Sequence, residues 1–256
     1  MHATVESLLQ NYSPITLKDM DAVGFLNRMD TKYFFDARLI TELLTRLTND
    51  YFVLEMKGVR TFPYTTTYYD TPEFHLYKAH LNGHLNRFKI RQRKYEVTGD
   101  EFFEIKLKTN RSRTEKSRFL NNEEHVLNDN ANLFLQKRTH LQTDNLHAAL
   151  TNKFYRVTLV SRDMKARVTL DYDLSFRAGN DVVELPNLGI AEIKREGTSS
   201  RPSIMKHLRE LGEKPVGISK YCLGAALLYK SLKINSIKHK LIKVNKLHHG
   251  KFDITR

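Results

Sequence analysis

Five stretches of the chain set charged side chains two residues apart: Arg28-Met29-Asp30-Thr31-Lys32, Lys89-Ile90-Arg91-Gln92-Arg93, Glu104-Ile105-Lys106-Leu107-Lys108, Lys116-Ser117-Arg118 and Glu192-Ile193-Lys194. Successive residues of a β-strand point to opposite sides, so each stretch makes one charged face backed by an apolar or neutral one. Basic faces repeated in this way suit a dense polyanion. Phosphate is the chemistry they fit best, because Arg offers a planar fork of donors and Lys a compact charge.

Such faces need strands to carry them and helices to cover their reverse sides. Residues 28–35 read as a strand, and Asp36 as the N-cap of a helix over 37–47, where Leu39, Ile40, Leu43, Leu44 and Leu47 form one apolar stripe. Residues 64–71, rich in Thr and Tyr, read as a strand, and Thr71-Pro72-Glu73 opens a short helix with proline at its first position. Three successive strands follow over 85–95, 101–108 and 114–120, with turns at Val97-Thr98-Gly99-Asp100 and around Asn110. Runs this close pair antiparallel. Residues 121–150 read as a polar, mostly helical crossing. Strand character resumes over 153–161, 167–176, 182–185 and 189–195, and two helices close the pattern over 203–211 and 219–232. From Lys233 the chain reads as a basic, irregular tail, with Lys238, Lys240, Lys243, Lys246, His248 and His249 on a weak amphipathic pattern.

This amounts to an α+β chain of about eight strands, mainly antiparallel, with flanking helices. A lead-in over 1–27, one domain over 28–232 and a tail over 233–256 are expected. The reverse faces hold Phe103, Ile105 and Leu107, or Val168, Leu170 and Tyr172, or Ala191 and Ile193, and must be buried. If the sheet closes into an eight-stranded barrel, the basic faces line its interior. Like charges there need counter-charges, water or ligand beside them.

Composition narrows the partner. Lys and Arg number 42 against 29 Asp and Glu, a net charge of +13, which favours nucleic acid, anionic membrane or a phosphorylated substrate. A nucleic-acid surface would interleave aromatic platforms with exposed cations. Here the cations are separated mainly by Ile, Leu, Met, Gln and Ser, so nucleic acid is not the expected partner. The single cysteine, Cys222, excludes a disulfide framework and a cysteine zinc site and fits a reducing compartment, so a cytoplasmic location is expected. With no apolar run of membrane-spanning length and no secretion signal in the first ten residues, the chain reads as soluble, at most peripheral at a membrane.

A single basic alternation is ordinarily a solvated outer face, and Lys94, Lys108 and Arg195 sit at strand ends where surface charge is common. His75, His80 and His84 match no standard metal spacing. Cys222, among Ile218, Leu223, Ala226 and Leu227 on an apolar helix face, reads as a buried structural thiol rather than a nucleophile.

An ordered set of motifs resembles the VTC domain, the catalytic module of the vacuolar transporter chaperone polyphosphate polymerase in the triphosphate tunnel metalloenzyme superfamily. The set runs from Arg28-Met29-Asp30-Thr31-Lys32-Tyr33 through Tyr69-Asp70-Thr71-Pro72, Leu81-Asn82-Gly83 and Phe88-Lys89-Ile90-Arg91-Gln92-Arg93-Lys94-Tyr95. It continues through Phe103-Glu104-Ile105-Lys106, Glu115-Lys116-Ser117-Arg118-Phe119, Arg167-Val168-Thr169-Leu170-Asp171, Ala191-Glu192-Ile193-Lys194 and Ile218-Ser219-Lys220-Tyr221. The resemblance implies a closed eight-stranded tunnel whose basic residues hold triphosphate or polyphosphate, with ATP as phosphoryl donor and Mn²⁺ or Mg²⁺ as cofactor. By motif, Lys32, Lys89, Arg91, Arg93, Lys106, Arg156 and Arg167 match phosphate-binding positions; Lys116, Arg118 and Lys220 match further basic ones. Lys32, Arg91 and Arg93 would act on the reacting phosphates and Glu192 would bind the metal. Two departures stand out: Phe154 replaces the family's tyrosine two residues before Arg156, and the sequence carries neither the inositol-pyrophosphate sensor domain nor the membrane helices of the eukaryotic enzyme. A membrane-protein partner is compatible with the family but is not carried over.

Three activities fit these residues. The leading one is a polyphosphate polymerase. The others are a tripolyphosphate or nucleoside triphosphate hydrolase, and a catalytically silent binder of polyphosphate or inositol phosphates. Hydrolytic tunnel enzymes usually begin with alternating glutamates before a lysine, whereas the run here is Arg28, Asp30, Lys32, which favours the polymerase branch.

Overall fold

Runs of period two form strands and the apolar stripes form helices. The computed structural model describes residues 1–21, 28–110, 114–123, 126–197 and 201–255. Along the chain these form α1 (His2–Leu9), β1 (Pro14–Ile15), α2 (Leu17–Asp21), β2 (Arg28–Asp36), α3 (Leu39–Leu47), β3 (Tyr51–Leu54), β4 (Phe62–Asp70), α4 (His75–Leu81), β5 (Arg87–Tyr95), β6 (Glu101–Lys108) and β7 (Thr114–Leu120). After them come α5 (Asp129–Gln136), β8 (His147–Ser161), β9 (Ala166–Ala178), β10 (Asp181–Leu185), β11 (Leu188–Glu196), α6 (Ser203–Glu210), α7 (Lys220–Leu228) and α8 (Lys238–Leu247). The end of the expected lead-in (22–27), the residues after the Asn110 turn (111–113), residues 124–125 and the side chain of Arg28 lie outside the described residues. Among the described residues, no helix is long and apolar enough to cross a membrane.

The chain is thus mixed α+β with a large, mainly antiparallel sheet, and it divides into two units. The first comprises residues 1–63, 154–174 and 185–218. Its strands run in the order β2-β11-β9-β8, with β3 beside β8 and β1 parallel to β3. One face of this sheet supplies Tyr33, Phe35, Val168, Leu170, Ala191 and Ile193 to a core completed by Ile40, Leu43, Leu44 and Leu47 of α3 and by Ile204 and Leu208 of α6. Each fully buried leucine contributes about 2 kcal/mol through loss of apolar surface from water. Gly189 lets β11 come close to β2: a Cβ there would lie 2.9 Å from the Phe35 ring and 3.3 Å from the Ala37 backbone. Asp36 is the last residue of β2 rather than the N-cap of α3. Its carboxylate accepts the Arg38 amide at 2.9 Å and also grips the Arg38 guanidinium, so the helix starts two residues later than expected.

The second unit comprises residues 64–153, 175–184 and 219–256. Its strands run β8-β4-β5-β6-β7, and β10 pairs with β9. Ile90, Phe103 and Ile105 pack with Tyr69 and Leu76 and, from α5, with Ala131 and Leu135. The expected helix at Pro72 opens only at His75. Phe74 takes a left-handed φ of 58°, and the buried Asp70 carboxylate accepts the amides of Thr71 (2.7 Å), Leu76 (2.8 Å) and Tyr77 (2.8 Å). A side-chain acceptor therefore satisfies the orphan amides of the first turn. Residues 121–150 carry α5 and one 3-10 turn before β8 begins at His147, so the stretch is less helical than its polarity suggests. Ser219 caps α7 by accepting the Cys222 amide, and Cys222 is buried as expected. The segment after Lys233, expected to be irregular, includes α8, whose Leu241 and Val244 are buried.

The hydrogen-bonded path β2-β11-β9-β8-β4-β5-β6-β7 has two ends, and among the described residues no pairing joins β2 to β7. The sheet is open, which corrects the expected closed barrel. At one end, the edge of β2 receives a loop rather than a strand, the Val216 amide donating to the Lys32 carbonyl at 2.7 Å. At the other end, the seven-residue β7 is mostly exposed.

Candidate functional site

The expected basic residues fall into two groups, one in each unit. In the second unit, register sets Lys89 opposite Lys106, Arg91 opposite Glu104 and Arg93 opposite Phe102. On the far side of β6, Lys106 faces Lys116 and Glu104 faces Arg118. From β4, Thr66 is opposite Arg93 and Tyr68 opposite Arg91. Lys89, Arg91, Arg93, Lys106, Lys116 and Arg118 therefore share one face of a three-stranded sheet, while Ile90, Phe103 and Ile105 point into the core behind it. The alternation seen in the sequence is what sorts them.

Glu104 lies at the centre of this face with no exposed surface. Arg91 donates from Nε to its Oε2 at 2.6 Å, and a terminal guanidinium nitrogen of Arg91 touches the same oxygen. The Lys116 ammonium lies 2.7 Å from Oε1. Burial pushes the Glu104 carboxyl up, but the charges of Arg91, Arg93 and Lys116 outweigh it and hold the group at about 2. Burial lowers the Lys116 ammonium, with Glu104 pulling the other way. Arg93 is 7% exposed; its Nε donates to Thr66 Oγ1 at 3.1 Å and its guanidinium lies 5.5 Å from the Tyr64 ring centre. Arg118 sits 4.4 Å over the Phe102 ring. Lys89 donates to the Ser219 hydroxyl at 3.2 Å, at the start of α7, whose first residue is Lys220.

Asp70 connects the helices of this unit to the face. Beyond capping α4, it accepts a very short hydrogen bond from the Tyr221 hydroxyl, and Tyr221 stacks on Tyr68 with ring centres 5.2 Å apart. Burial, and then the Asp70 charge, drive the Tyr221 hydroxyl far above the usual tyrosine range, so it stays a donor.

In the first unit, Glu192 is opposite both Lys32 and Thr169, and Lys194 is opposite Asp30 and Arg167. The Lys32 ammonium is 3.7 Å from Glu192 Oε1. Arg156 holds the buried Asp171 with two parallel bonds, Nε to Oδ1 at 2.6 Å and Nη2 to Oδ2 at 2.8 Å, and lies 5.3 Å from the ring centre of Phe154, the residue that replaces the family tyrosine. Arg167 donates to the Met20 carbonyl at 2.8 Å. This face is of mixed sign, with Asp30, Asp171 and Glu192 among its cations. A cavity in the same unit, lined by Asp50, Tyr51, Arg162, Lys165, Arg201 and Ser203 among others, contains none of the expected site residues.

Among the described residues no cluster of three or more His, Cys, Asp or Glu side chains could hold a metal by itself. Glu192, partly exposed, fits a cation whose remaining ligands are substrate oxygens and water, the usual way a hard divalent ion is held beside phosphate. Sequence reasoning overlooked Glu104, Asp171, Asp70 and Tyr68 as parts of the site. Glu104 carried a readable signal, since it stands two residues before Lys106 and so on the same face.

The family model for the VTC domain matches residues 27–229. No curated protein matches the sequence. Among solved structures, a Bacillus halodurans protein proposed to be an adenylate cyclase is 13% identical with a TM-score of 0.49, over 76% of this chain and 94% of that one. A Pyrococcus horikoshii protein is 16% identical with a TM-score of 0.44, over 78% and 98%. A proposed adenylyl cyclase from Hippeastrum with a dominant triphosphatase activity is 13% identical with a TM-score of 0.43, over 77% and 96%.

Proposed function

The chain belongs to the VTC domain family, and from that premise we propose that it is an ATP-dependent polyphosphate polymerase working with Mn²⁺ or Mg²⁺. In the reaction a terminal phosphate oxygen of polyphosphate attacks the γ-phosphorus of ATP, the bond between that phosphorus and the β,γ-bridging oxygen breaks, and ADP leaves with the bonding pair. The acceptor oxygen is already anionic at neutral pH, so no general base is required. What the protein must supply is alignment and neutralisation of charge.

The observation that carries this reading is the face of β5, β6 and β7, where six expected cations surround a single buried carboxylate. Arg91 and Arg93 are held by neighbours before any phosphate arrives, which lowers the ordering needed on binding. We assign Lys89, Arg91, Arg93, Lys106, Lys116, Arg118 and Lys220 to holding the phosphate chain. In the first unit, Lys32, Arg156 and Arg167 are assigned to phosphate oxygens and Glu192 to the cation. When bound, a divalent cation at Glu192 supplies neutralisation of charge on the transferred and leaving groups.

The test is to incubate the purified protein with ATP and Mn²⁺ and to assay long-chain polyphosphate and free phosphate together. Polyphosphate chains are the expected product. Free phosphate without chains would replace the polymerase by a hydrolase, and neither product with firm tripolyphosphate binding would leave a silent binding module.

A further inference from the structure

Glu104 is the single acid among the same-face positions of β5, β6 and β7, which include the cations Lys89, Arg91, Arg93, Lys106, Lys116 and Arg118. It is fully buried, it is directly opposite both Arg91 and Arg118, and its two oxygens engage Arg91 and Lys116. A phosphate group presents the same kind of acceptor to the same donors. We propose that Glu104 is the resident counter-ion of this face: by competing with phosphate for Arg91 and Lys116, it sets how firmly the face holds a phosphate chain. The inference rests on the reading of this face as a polyphosphate site and goes further in naming what limits its grip.

The physical reason is balance. Without an internal acid the clustered cations repel one another in the free protein and bind a polyanion so firmly that a growing chain is slow to advance. One carboxylate relieves the repulsion at its centre and leaves a positive surplus for the substrate. Glu104 acts through Arg91 and Lys116, so it is a positioning residue. A purely structural ion pair predicts something different: its removal weakens the fold and the ligand site together, and tightens nothing.

Tripolyphosphate titrated calorimetrically into the wild type and into Glu104→Gln separates the two. Removing one negative charge a few ångströms from the bound anion is expected to tighten binding roughly tenfold in the variant, with slower dissociation. Unchanged or weaker binding by a folded Glu104→Gln protein overturns the inference while leaving the polyphosphate site intact. No binding by the wild type removes the polyphosphate site and the inference with it. Should Glu104→Gln not fold, the double variant Glu104→Gln/Lys116→Gln removes both members of this ion pair together and frees Arg91 from the carboxylate. It is expected to bind tripolyphosphate at least as firmly as the wild type with one cation fewer, and weaker binding overturns the inference.

Discussion

A carboxylate with no exposed surface and a lysine 3.7 Å from a partly exposed glutamate are the two charged arrangements on which the proposed chemistry turns. The cations were legible because period two sorts them to one side of a strand. Of the acids beside them, Glu104 can be placed on the cations' face by its position two residues before Lys106, but its burial and that of Asp171 were not legible, since a buried acid looks like a surface one in sequence until its partners are known. Glu192→Gln is expected to cut polyphosphate synthesis by about 10–100-fold, the scale on which a weakened metal site loses affinity or activity, while tripolyphosphate affinity changes far less. Wild-type turnover in that variant would remove Glu192 from the reaction. Glu104 also predicts an acid limb of stability. Its folded value of about 2 lies below the ordinary 4.5, so its contribution is complete above pH 4.5 and is lost as pH falls from there toward 2. Urea midpoints measured between pH 7 and pH 3 should therefore fall less steeply in Glu104→Gln than in the wild type. Equal slopes would show that the carboxylate is not held low.

At the scale of elements, β6 and β7 have the ends that alternation predicts, and β5 and α3 begin two residues later than expected. The shifted boundaries have chemical causes. Asp36 and Asp70 use their carboxylates on amides beyond their own strands, and that decides where α3 and α4 begin. The two-residue β1 and four-residue β3 have too little length to show a period. Helix α7 supplies a sharper test, because its Gly224 sits against Phe176: a Cβ there would lie 2.4–2.9 Å from three atoms of the ring. Alanine would gain about 1 kcal/mol of helix propensity, yet overpacking of this kind costs about 1–3 kcal/mol. Gly224→Ala should thus lower the thermal midpoint by a few degrees in a scanning melt. A raised midpoint would mean that Phe176 yields without strain.

For the molecule as a whole, a net charge of +13 predicts strongly salt-dependent capture of polyanions. Raising NaCl from 50 to 500 mM should weaken tripolyphosphate binding more than about tenfold by titration; a flat response would point to binding dominated by uncharged contacts. Each unit is assembled from three separated stretches of sequence, which leaves no linker for composition to reveal. Closure of a sheet depends on which edges meet, and no periodicity encodes that, so the expected barrel gave way to an open path. The pairing of β2 with β11 has a consequence in time. Lys32 is made about 160 residues before Glu192, the residue it faces. At synthesis rates of roughly 5–20 residues per second, β2 waits about 8 to 30 seconds for its partner strand. During that interval Tyr33 and Phe35 lack the strand neighbours that later bury them, so the nascent chain exposes apolar surface while Lys32, assigned above to phosphate, has already left the ribosome.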